Sequence, residues 1–400
     1  MTQKALVVVV CLAVASPAAG QPAAPANLID YVEMDSWRGE DCPGDFVGTG
    51  VAKPCRVRTP WSETALRARW AAEGRSVWAD GDTLTFIYEG NIEGVTACCT
   101  VQMPLSRIVG TDLWALSVRV PDLPFATLTA GFLPKGARAV EGIVDWRGAS
   151  APVAPPQSRT LRGTVRTDSL WSEAIGERRA VTVYLPPEHN ASRPIPVVYV
   201  ADGESVHSLA AYLEPFILAG EVPSTILVGI HSGPMRGEEY TSISEAANAA
   251  DPENVRFVAY ERFVLGEVIP WAERTLGASA RREERAAFGF SNGGVWAAHQ
   301  GVRNPDVFGV VIPFSCGVCR VAVPDEPTSA VAGSAARFYF LAGRLEVRFH
   351  ENTASAAARL RAAGYVAPMH ERVAGHDPLM WYEQFGDAVR WAFGHLMSLE

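Results

Sequence analysis

From about residue 161 to its end, the chain alternates short apolar runs with longer amphipathic stretches. The intervening stretches predict helices over Val255–Leu276, Gly293–Val302, Glu351–Ala363 and Leu379–Met397. Apolar runs that alternate with such helices are typical of a largely parallel sheet covered on both faces. The sequence therefore predicts an α/β fold with a doubly wound sheet, whose reactive groups lie at the carboxyl ends of its strands. The predicted strands are Ala180–Leu185, Pro196–Val200, Thr225–Ile230, Ala286–Phe290, Phe308–Ile312 and Arg337–Leu341.

One segment places a serine at a predicted junction between a strand and a helix. The strand Ala286–Phe290 runs into Gly-Phe-Ser-Asn-Gly-Gly at positions 289–294, which is a G-x-S-x-G pattern. So tight a turn leaves no room for a Cβ at either flanking glycine, and it holds the serine clear of the backbone. Ser291 is therefore the predicted nucleophile, against the alternative of a surface serine in a glycine-rich turn.

A serine hydroxyl needs a base, and histidine is the natural candidate because no lysine follows Lys135. His376 is the predicted base. It lies in a loop between the last strand and the last helix, where Gly375 lets the chain turn and Pro378 suits a first helical turn. His207 and His231 each follow a strand and are further candidates to line the site.

An orienting carboxylate is expected at the end of the strand Arg337–Leu341. Glu346 follows this strand, and the chain order is then nucleophile, acid, base. The alternative is a surface glutamate paired with a neighbouring arginine. Asp377 is a weaker rival, because adjacent loop residues rarely face each other.

The oxyanion of a tetrahedral intermediate needs hydrogen-bond donors. The first predicted donor is the backbone N–H of Asn292, which follows the nucleophile. The second is expected in the loop after Pro196–Val200, where Gly203 and Glu204 are the candidate amides. The alternative for this loop is a plain turn.

Several separated segments together resemble the esterase family of α/β-hydrolases that contains enterochelin (ferric enterobactin) esterases, feruloyl esterases and S-formylglutathione hydrolase. The resemblance implies an α/β-hydrolase domain over residues 161–400, ester hydrolysis through an acyl-enzyme on a Ser-His-Glu triad, and an immunoglobulin-like domain before the hydrolase. The sequence indicates no cofactor and no metal. The segments that carry the resemblance are Val181–Pro187, Val198–Gly203, Arg236–Tyr240, Phe263–Pro270, Gly289–Gly294, Gly343–Glu346 and Gly375–Asp377.

Residues 27–150 have a different texture. Short β-type runs at Thr83–Tyr88, Val95–Val101 and Leu113–Val118 are separated by turn signals, which predicts a small all-β sandwich. Six of the eleven tryptophans lie here, and their mixed spacing favours a core over a sugar-binding platform. Residues 151–160, rich in proline and alanine, predict an extended linker.

The first twenty residues predict an export signal. Lys4 precedes an apolar run, Ala5–Ala15, that is too short to span a bilayer of ~30 Å. Small residues follow it, as a signal peptidase requires. The sequence therefore predicts a periplasmic or secreted protein without a membrane span.

The cysteines agree with export, because six remain after Cys11 leaves with the signal. A disulfide between Cys42 and Cys55 is predicted, since both lie in one loop-rich segment. Cys316 and Cys319 are predicted to form a local disulfide or to be two buried thiols.

The formal net charge of −9 argues against a nucleic-acid partner. The expected partner is a small ester, either a siderophore trilactone or a feruloyl or acetyl ester. Two alternatives remain open: an acyltransferase that uses the same triad, and a carbohydrate-binding protein that uses the N-terminal domain. Arg236 and Glu239 are expected to form a structural ion pair. The oligomeric state is left open.

Overall fold

The computed structural model describes residues 41–42, 53–58, 61–137, 140–242, 254–319, 321 and 335–398. The predicted signal peptide, residues 1–20, and the first part of the predicted N-terminal domain lie outside the described residues. None of the described helices has both the length and the apolar character that crossing a bilayer requires.

The N-terminal region contains two antiparallel sheets that share one core. One sheet has the order β1-β6-β3-β2 with β5 paired to β6, and the other has the order β4-β7-β8. Phe86 of the first sheet meets Phe132 of the second edge to face, with ring centroids 6.5 Å apart. The strands are β1 Cys55–Val57, β2 Val77–Asp80, β3 Thr83–Glu89, β4 Val95–Cys99, β5 Ser106–Arg107, β6 Leu113–Arg119, β7 Thr127–Pro134 and β8 Glu141–Arg147.

The sequence predicts an all-β sandwich for this region, and that prediction is wrong in one respect: the region also contains helix α1, Glu63–Glu73. Ser62 caps the helix by accepting a hydrogen bond from the backbone N–H of Ala65, and Leu66 is its buried residue. A turn of 3-10 helix, Leu123–Phe125, precedes β7. The immunoglobulin-like topology remains a prediction.

The C-terminal region is a nine-stranded sheet with the order β17-β16-β14-β13-β11-β12-β10-β9, in which β15 pairs with β14. The β9–β10 and β10–β12 pairs are antiparallel, and the other pairs are parallel. The mostly parallel sheet predicted from the sequence is thus confirmed. Its strands are β9 Thr164–Ser172, β10 Glu177–Leu185, β11 Val197–Ala201, β12 Ile226–Ile230, β13 Arg285–Phe290, β14 Val310–Phe314, β15 Arg337–Phe338, β16 Phe340–Gly343 and β17 Met369–Arg372.

Helices cover both faces of this sheet. Tyr199 on β11 packs into an apolar layer with Trp296 of α6, whereas its neighbour Val200 packs into the opposite layer with Met380 of α8. The helices are α2 Val206–Leu218, α3 Arg236–Tyr240, α4 Val255–Phe263, α5 Ile269–Leu276, α6 Asn292–Arg303, α7 Val347–Ala362 and α8 Pro378–Phe393. A π-helical turn at Val264–Val268 joins α4 to α5, and 3-10 turns lie at Gly203–Ser205, Arg282–Glu284 and Gly394–Ser398.

The predicted disulfides form. Cys42 is bonded to Cys55, and Cys316 is bonded to Cys319. Cys98 is also disulfide-bonded. The first bond ties residue 42 to the start of β1, and the second closes a short loop just beyond β14.

Candidate active site

Ser291 lies on a sharp turn between β13 and α6. Its φ of 57° is in the left-handed region, which is rare for a residue other than glycine and marks a strained backbone. A Cβ at Gly289 would lie 2.2 Å from the carbonyl oxygen of Gly293, so the first glycine of the pattern is required by the close approach of the chain to itself. The Ser291 N–H donates to the carbonyl of Phe314 on the neighbouring strand β14, at 3.0 Å.

His376 and Glu346 form a buried pair at the carboxyl ends of two neighbouring strands. The Nδ1 atom of His376 lies 2.5 Å from a carboxylate oxygen of Glu346. Glu346 comes three residues after β16, and His376 is in the loop that follows β17. Both side chains are 1% exposed. The structure thus brings together the predicted acid and base, at the carboxyl ends of the strands, where Ser291 follows β13.

The other carboxylate oxygen of Glu346 accepts two hydrogen bonds. The hydroxyl of Ser315 donates to it at 2.6 Å, and so does the backbone N–H of Gly343 at 2.6 Å. Ser315 in turn accepts a hydrogen bond from the indole N–H of Trp381 at 2.7 Å. Sequence reasoning missed Ser315, although a small polar residue directly after an apolar strand was the available signal.

Two aromatic rings fix the plane of the His376 imidazole. The ring of Phe349 stacks on it with centroids 3.8 Å apart, and Trp381 meets it edge-on at 4.9 Å. Burial, and then the positive charge of Arg236, lowers the pKa of His376 well below its ordinary value. Burial raises the pKa of Glu346 above its ordinary value, and the hydrogen bonds from Ser315 and Gly343 oppose this rise by stabilising the carboxylate. The dry setting therefore disfavours an imidazolium in the resting site.

Asp377 points away from this pair. Its carboxylate caps α8 by accepting the backbone N–H of Met380 at 3.3 Å. Burial raises the pKa of Asp377 to about 7. The geometry therefore places Glu346, and not Asp377, against the imidazole.

The predicted oxyanion loop follows β11 as a turn of 3-10 helix. Asp202 precedes it with a φ of 55°, and a Cβ at Gly203 would lie 2.2 Å from the backbone of Gly229 on β12. One oxygen of the Glu204 carboxylate accepts the backbone N–H and the hydroxyl of Ser232, at 3.0 and 2.9 Å, and burial raises the pKa of this carboxyl to about 7. The amides of Gly203 and Glu204 both remain candidate donors from this loop. Asn292 begins α6, where helical geometry leaves the first amides without intrahelical partners.

The prediction that Arg236 and Glu239 form an ion pair is wrong. The Arg236 guanidinium instead binds Asp202 with two hydrogen bonds of 2.6 and 2.7 Å. Glu239 is bound by Arg179 at 2.7 and 2.8 Å. Because the hydroxyl of Tyr240 also accepts the Asp202 N–H at 3.0 Å, α3 holds the backbone that leads into the oxyanion loop.

The other two candidate histidines have separate settings. His207 is exposed on α2, and Nε2 of His231 lies 2.6 Å from the hydroxyl of Thr182. In the part of the chain that the structure describes, no group of three or more His, Cys, Asp or Glu residues is arranged to hold a metal ion.

The family described as "Putative esterase" matches residues 172–392 of this chain. The match covers β10–β17 and every residue described in the site above, and it agrees with the family resemblance seen in the sequence.

The chain also resembles individual proteins. It is 25% identical over 153 residues to "Uncharacterized protein YjcH" of Bacillus subtilis (strain 168), and the match covers 38% of this chain and 60% of that protein. The chain therefore spans less than two thirds of this relative. Its fold is similar to that of ferric enterobactin esterase from Salmonella typhimurium, with a TM-score of 0.61 and 16% identity over 83% of this chain and all of that one. Enterobactin esterase from Shigella flexneri, crystallised in the presence of enterobactin, gives a TM-score of 0.59 and 16% identity over 84% of this chain and all of that one.

Proposed function

Because this chain belongs to the esterase family that matches residues 172–392, we propose that it hydrolyses carboxylic esters through an acyl-enzyme on Ser291. The single observation that carries the proposal is the 2.5 Å hydrogen bond between Glu346 and His376 at the carboxyl ends of the strands, where the strained Ser291 turn also lies. A serine, a buried histidine and an orienting carboxylate in this chain order perform nucleophilic acyl transfer.

In the proposed reaction, the Oγ of Ser291 attacks the ester carbonyl while Nε2 of His376 takes its proton. The negative oxygen that forms is stabilised by the backbone N–H of Asn292 and by that of Gly203 or Glu204. The tetrahedral intermediate then collapses, the C–O bond to the alcohol breaks, and the imidazolium gives its proton to the departing oxygen. Water repeats the sequence on the acyl-enzyme and releases the acid.

The surroundings of Glu346 support the role of an orienting acid. Its carboxylate accepts a hydrogen bond from the Nδ1–H of His376, so that Nε2 is the nitrogen that takes the proton of Ser291. The hydrogen bonds from Ser315 and Gly343 keep the carboxylate in place, and the negative charge stabilises the imidazolium as it forms.

We also propose that the enzyme works outside the cytoplasm, in the periplasm or after secretion. The Cys42–Cys55 and Cys316–Cys319 disulfides support this location, because such bonds persist in oxidising compartments. The division into an N-terminal domain at 27–150, a linker at 151–160 and a hydrolase domain at 161–400 is part of the proposal. No helix or strand interrupts residues 151–160.

The substrate class is tested with a panel of p-nitrophenyl esters, feruloyl and acetyl esters, and the trilactone enterobactin. We expect hydrolysis of the activated esters, with the natural class identified by the highest kcat/KM. Transfer of the acyl group to a sugar hydroxyl in preference to water would instead support an acyltransferase.

The nucleophile is tested by Ser291→Ala, with Ser192→Ala as the matched control on an exposed turn. Loss of a triad member leaves only about 10³–10⁴-fold acceleration over water, so Ser291→Ala should abolish measurable turnover while the circular dichroism spectrum is kept. A fluorophosphonate probe should label the native protein and the control but not Ser291→Ala. Turnover close to the native rate in Ser291→Ala would exclude the proposed mechanism.

A further inference from the structure

We propose that Thr100, the residue that follows β4 in the N-terminal region, is a positioning residue for His376, so that the N-terminal region holds the catalytic loop in place. The proposal rests on the proposed role of His376 as the base. The loop that carries His376 runs from Val373 to Asp377, between β17 and α8. Residues of the N-terminal region contact it at its start and at its middle.

The middle of the loop is in direct contact with the backbone of Thr100. A Cβ placed on Gly375 would lie 2.3 Å from the Cα of Thr100 and 2.4 Å from its carbonyl oxygen. The φ of Gly375 is outside the left-handed region, so the turn itself does not demand glycine. Glycine is required at this position because the N-terminal region lies against it.

Strand β7 holds the start of the same loop. The backbone N–H of Thr127 donates to the carbonyl of Val373 at 2.9 Å. Strand β4 pairs with β7 only over Ala130–Pro134, so the edge of β7 beyond that point is available to the loop.

The hydroxyl of Thr100 connects the contact at the middle of the loop to the strand that holds its start. It donates to the carbonyl of Thr129 at 2.8 Å and so fixes the backbone of residue 100 relative to β7. Leu345, the residue before Glu346, is buried in the core of the N-terminal region, and Val373 packs against that core. The residue next to the acid, and a residue three positions before the base, therefore rest on the same N-terminal core.

This arrangement bears on rate because a catalytic group displaced by about 1 Å can cost about 100-fold. The loop between β17 and α8 is short, and the rings of Phe349 and Trp381 fix only the imidazole itself. The N-terminal contacts fix the backbone that carries it. Loosening them should lower kcat, whereas KM for a small ester should change little.

The test uses the full chain with Gly375→Ala, and with Gly309→Ala as the matched control. A Cβ at Gly309 would lie 2.4 Å from the carbonyl oxygen of Arg282, a comparable clash away from the site. Both variants should lose thermal stability. Only Gly375→Ala should lower kcat for a p-nitrophenyl ester, by about 100-fold with KM within about threefold of the native value.

A milder pair keeps the proposal testable if Gly375→Ala fails to fold. Thr100→Val removes the hydroxyl that bonds to Thr129, and Thr100→Ser keeps it. Loss of one such hydrogen bond, about 1 kcal/mol, predicts a fall in kcat of about fivefold in Thr100→Val and native kcat in Thr100→Ser. Hydrogen–deuterium exchange of the peptide over 369–380 should be faster in Thr100→Val than in Thr100→Ser or the native protein.

The outcomes separate this inference from the proposed function. A native protein that hydrolyses no ester, or an active Ser291→Ala, refutes the proposed function, while the exchange measurement still tests whether the N-terminal region holds the loop. If the native enzyme is active and Ser291→Ala is not, equal kcat in Gly375→Ala and Gly309→Ala refutes the role of Thr100. Unchanged kcat and exchange in Thr100→Val also refute it.

Discussion

Replacement of Glu346 by glutamine should reverse the tautomer of His376. The indole N–H of Trp381 donates to the hydroxyl oxygen of Ser315, whose own proton goes to one oxygen of Glu346. The N–H of Gly343 goes to the same oxygen. A glutamine must therefore place its carbonyl oxygen there and its NH₂ group against His376. Since that group is a donor, Nδ1 of His376 must accept, and the ring proton moves to Nε2.

The magnitudes favour this orientation of the amide. The opposite orientation would set an NH₂ group against the buried donors of Ser315 and Gly343, at about 1–3 kcal/mol for each unsatisfied group. Exchanging imidazole tautomers is the smaller cost. With its proton on Nε2, His376 cannot accept the proton of Ser291. The analogous acid-to-amide change in a serine protease triad lowers kcat by about 10⁴-fold, which corresponds to about 5 kcal/mol in the activation barrier.

The assay is steady-state hydrolysis of a p-nitrophenyl ester, with kcat and KM determined separately and folding checked by circular dichroism. Glu346→Gln should lose about 10⁴-fold in kcat with KM nearly unchanged. The comparison variant Asp377→Asn keeps an acceptor for its hydrogen bonds and should lose less than about tenfold. If Asp377→Asn were the more damaged variant, Glu346 would not be the orienting acid.

Two further predictions follow from the charges and the disulfides. Arg236→Gln removes a positive charge that lowers the pKa of His376, so the acid limb of the pH profile of kcat/KM should move to higher pH. The double variant Asp202→Asn/Arg236→Gln conserves net charge and should move this limb less. An unchanged acid limb in the single variant would contradict the effect of Arg236 on the pKa of His376. Cys42→Ala/Cys55→Ala should lower the free energy of unfolding in urea by about 3 kcal/mol, because the bond closes a loop with a sequence separation of 13; equal unfolding midpoints for the variant and the native protein would refute this.

The strands and helices that the sequence predicted correctly are those whose burial makes a local pattern. All six predicted strands of the C-terminal sheet are present, because both of their faces are covered. Strand β9 was not predicted because it lies at the edge of the sheet and its side chains are mostly exposed. Helix α1 was not predicted because its sequence has no apolar stripe. Leu66 is its fully buried residue.

Parts of the site were predictable for the same reason. Ser291, Glu346 and His376 each follow a strand, and their order along the chain matches a known arrangement. Ser315 also follows a strand, but the predicted strand ended at Ile312, two residues before β14 ends. The partner of Arg236 could not be read from spacing, because an acid three residues away on a short helix faces Arg179 instead, while Asp202 comes from a different strand end.

Gly375 shows where local reasoning stops. In the sequence, a glycine before a loop histidine indicates a turn that needs conformational freedom. The φ of Gly375 is outside the left-handed region, and the space for a side chain is filled by the backbone of Thr100 from the other region of the chain. No pattern within the loop encodes that contact, since the contact exists only once both regions have folded. Glycine is therefore needed at position 375 because the N-terminal region packs against the loop that carries His376. A substitution there tests this packing and not the conformation of the turn.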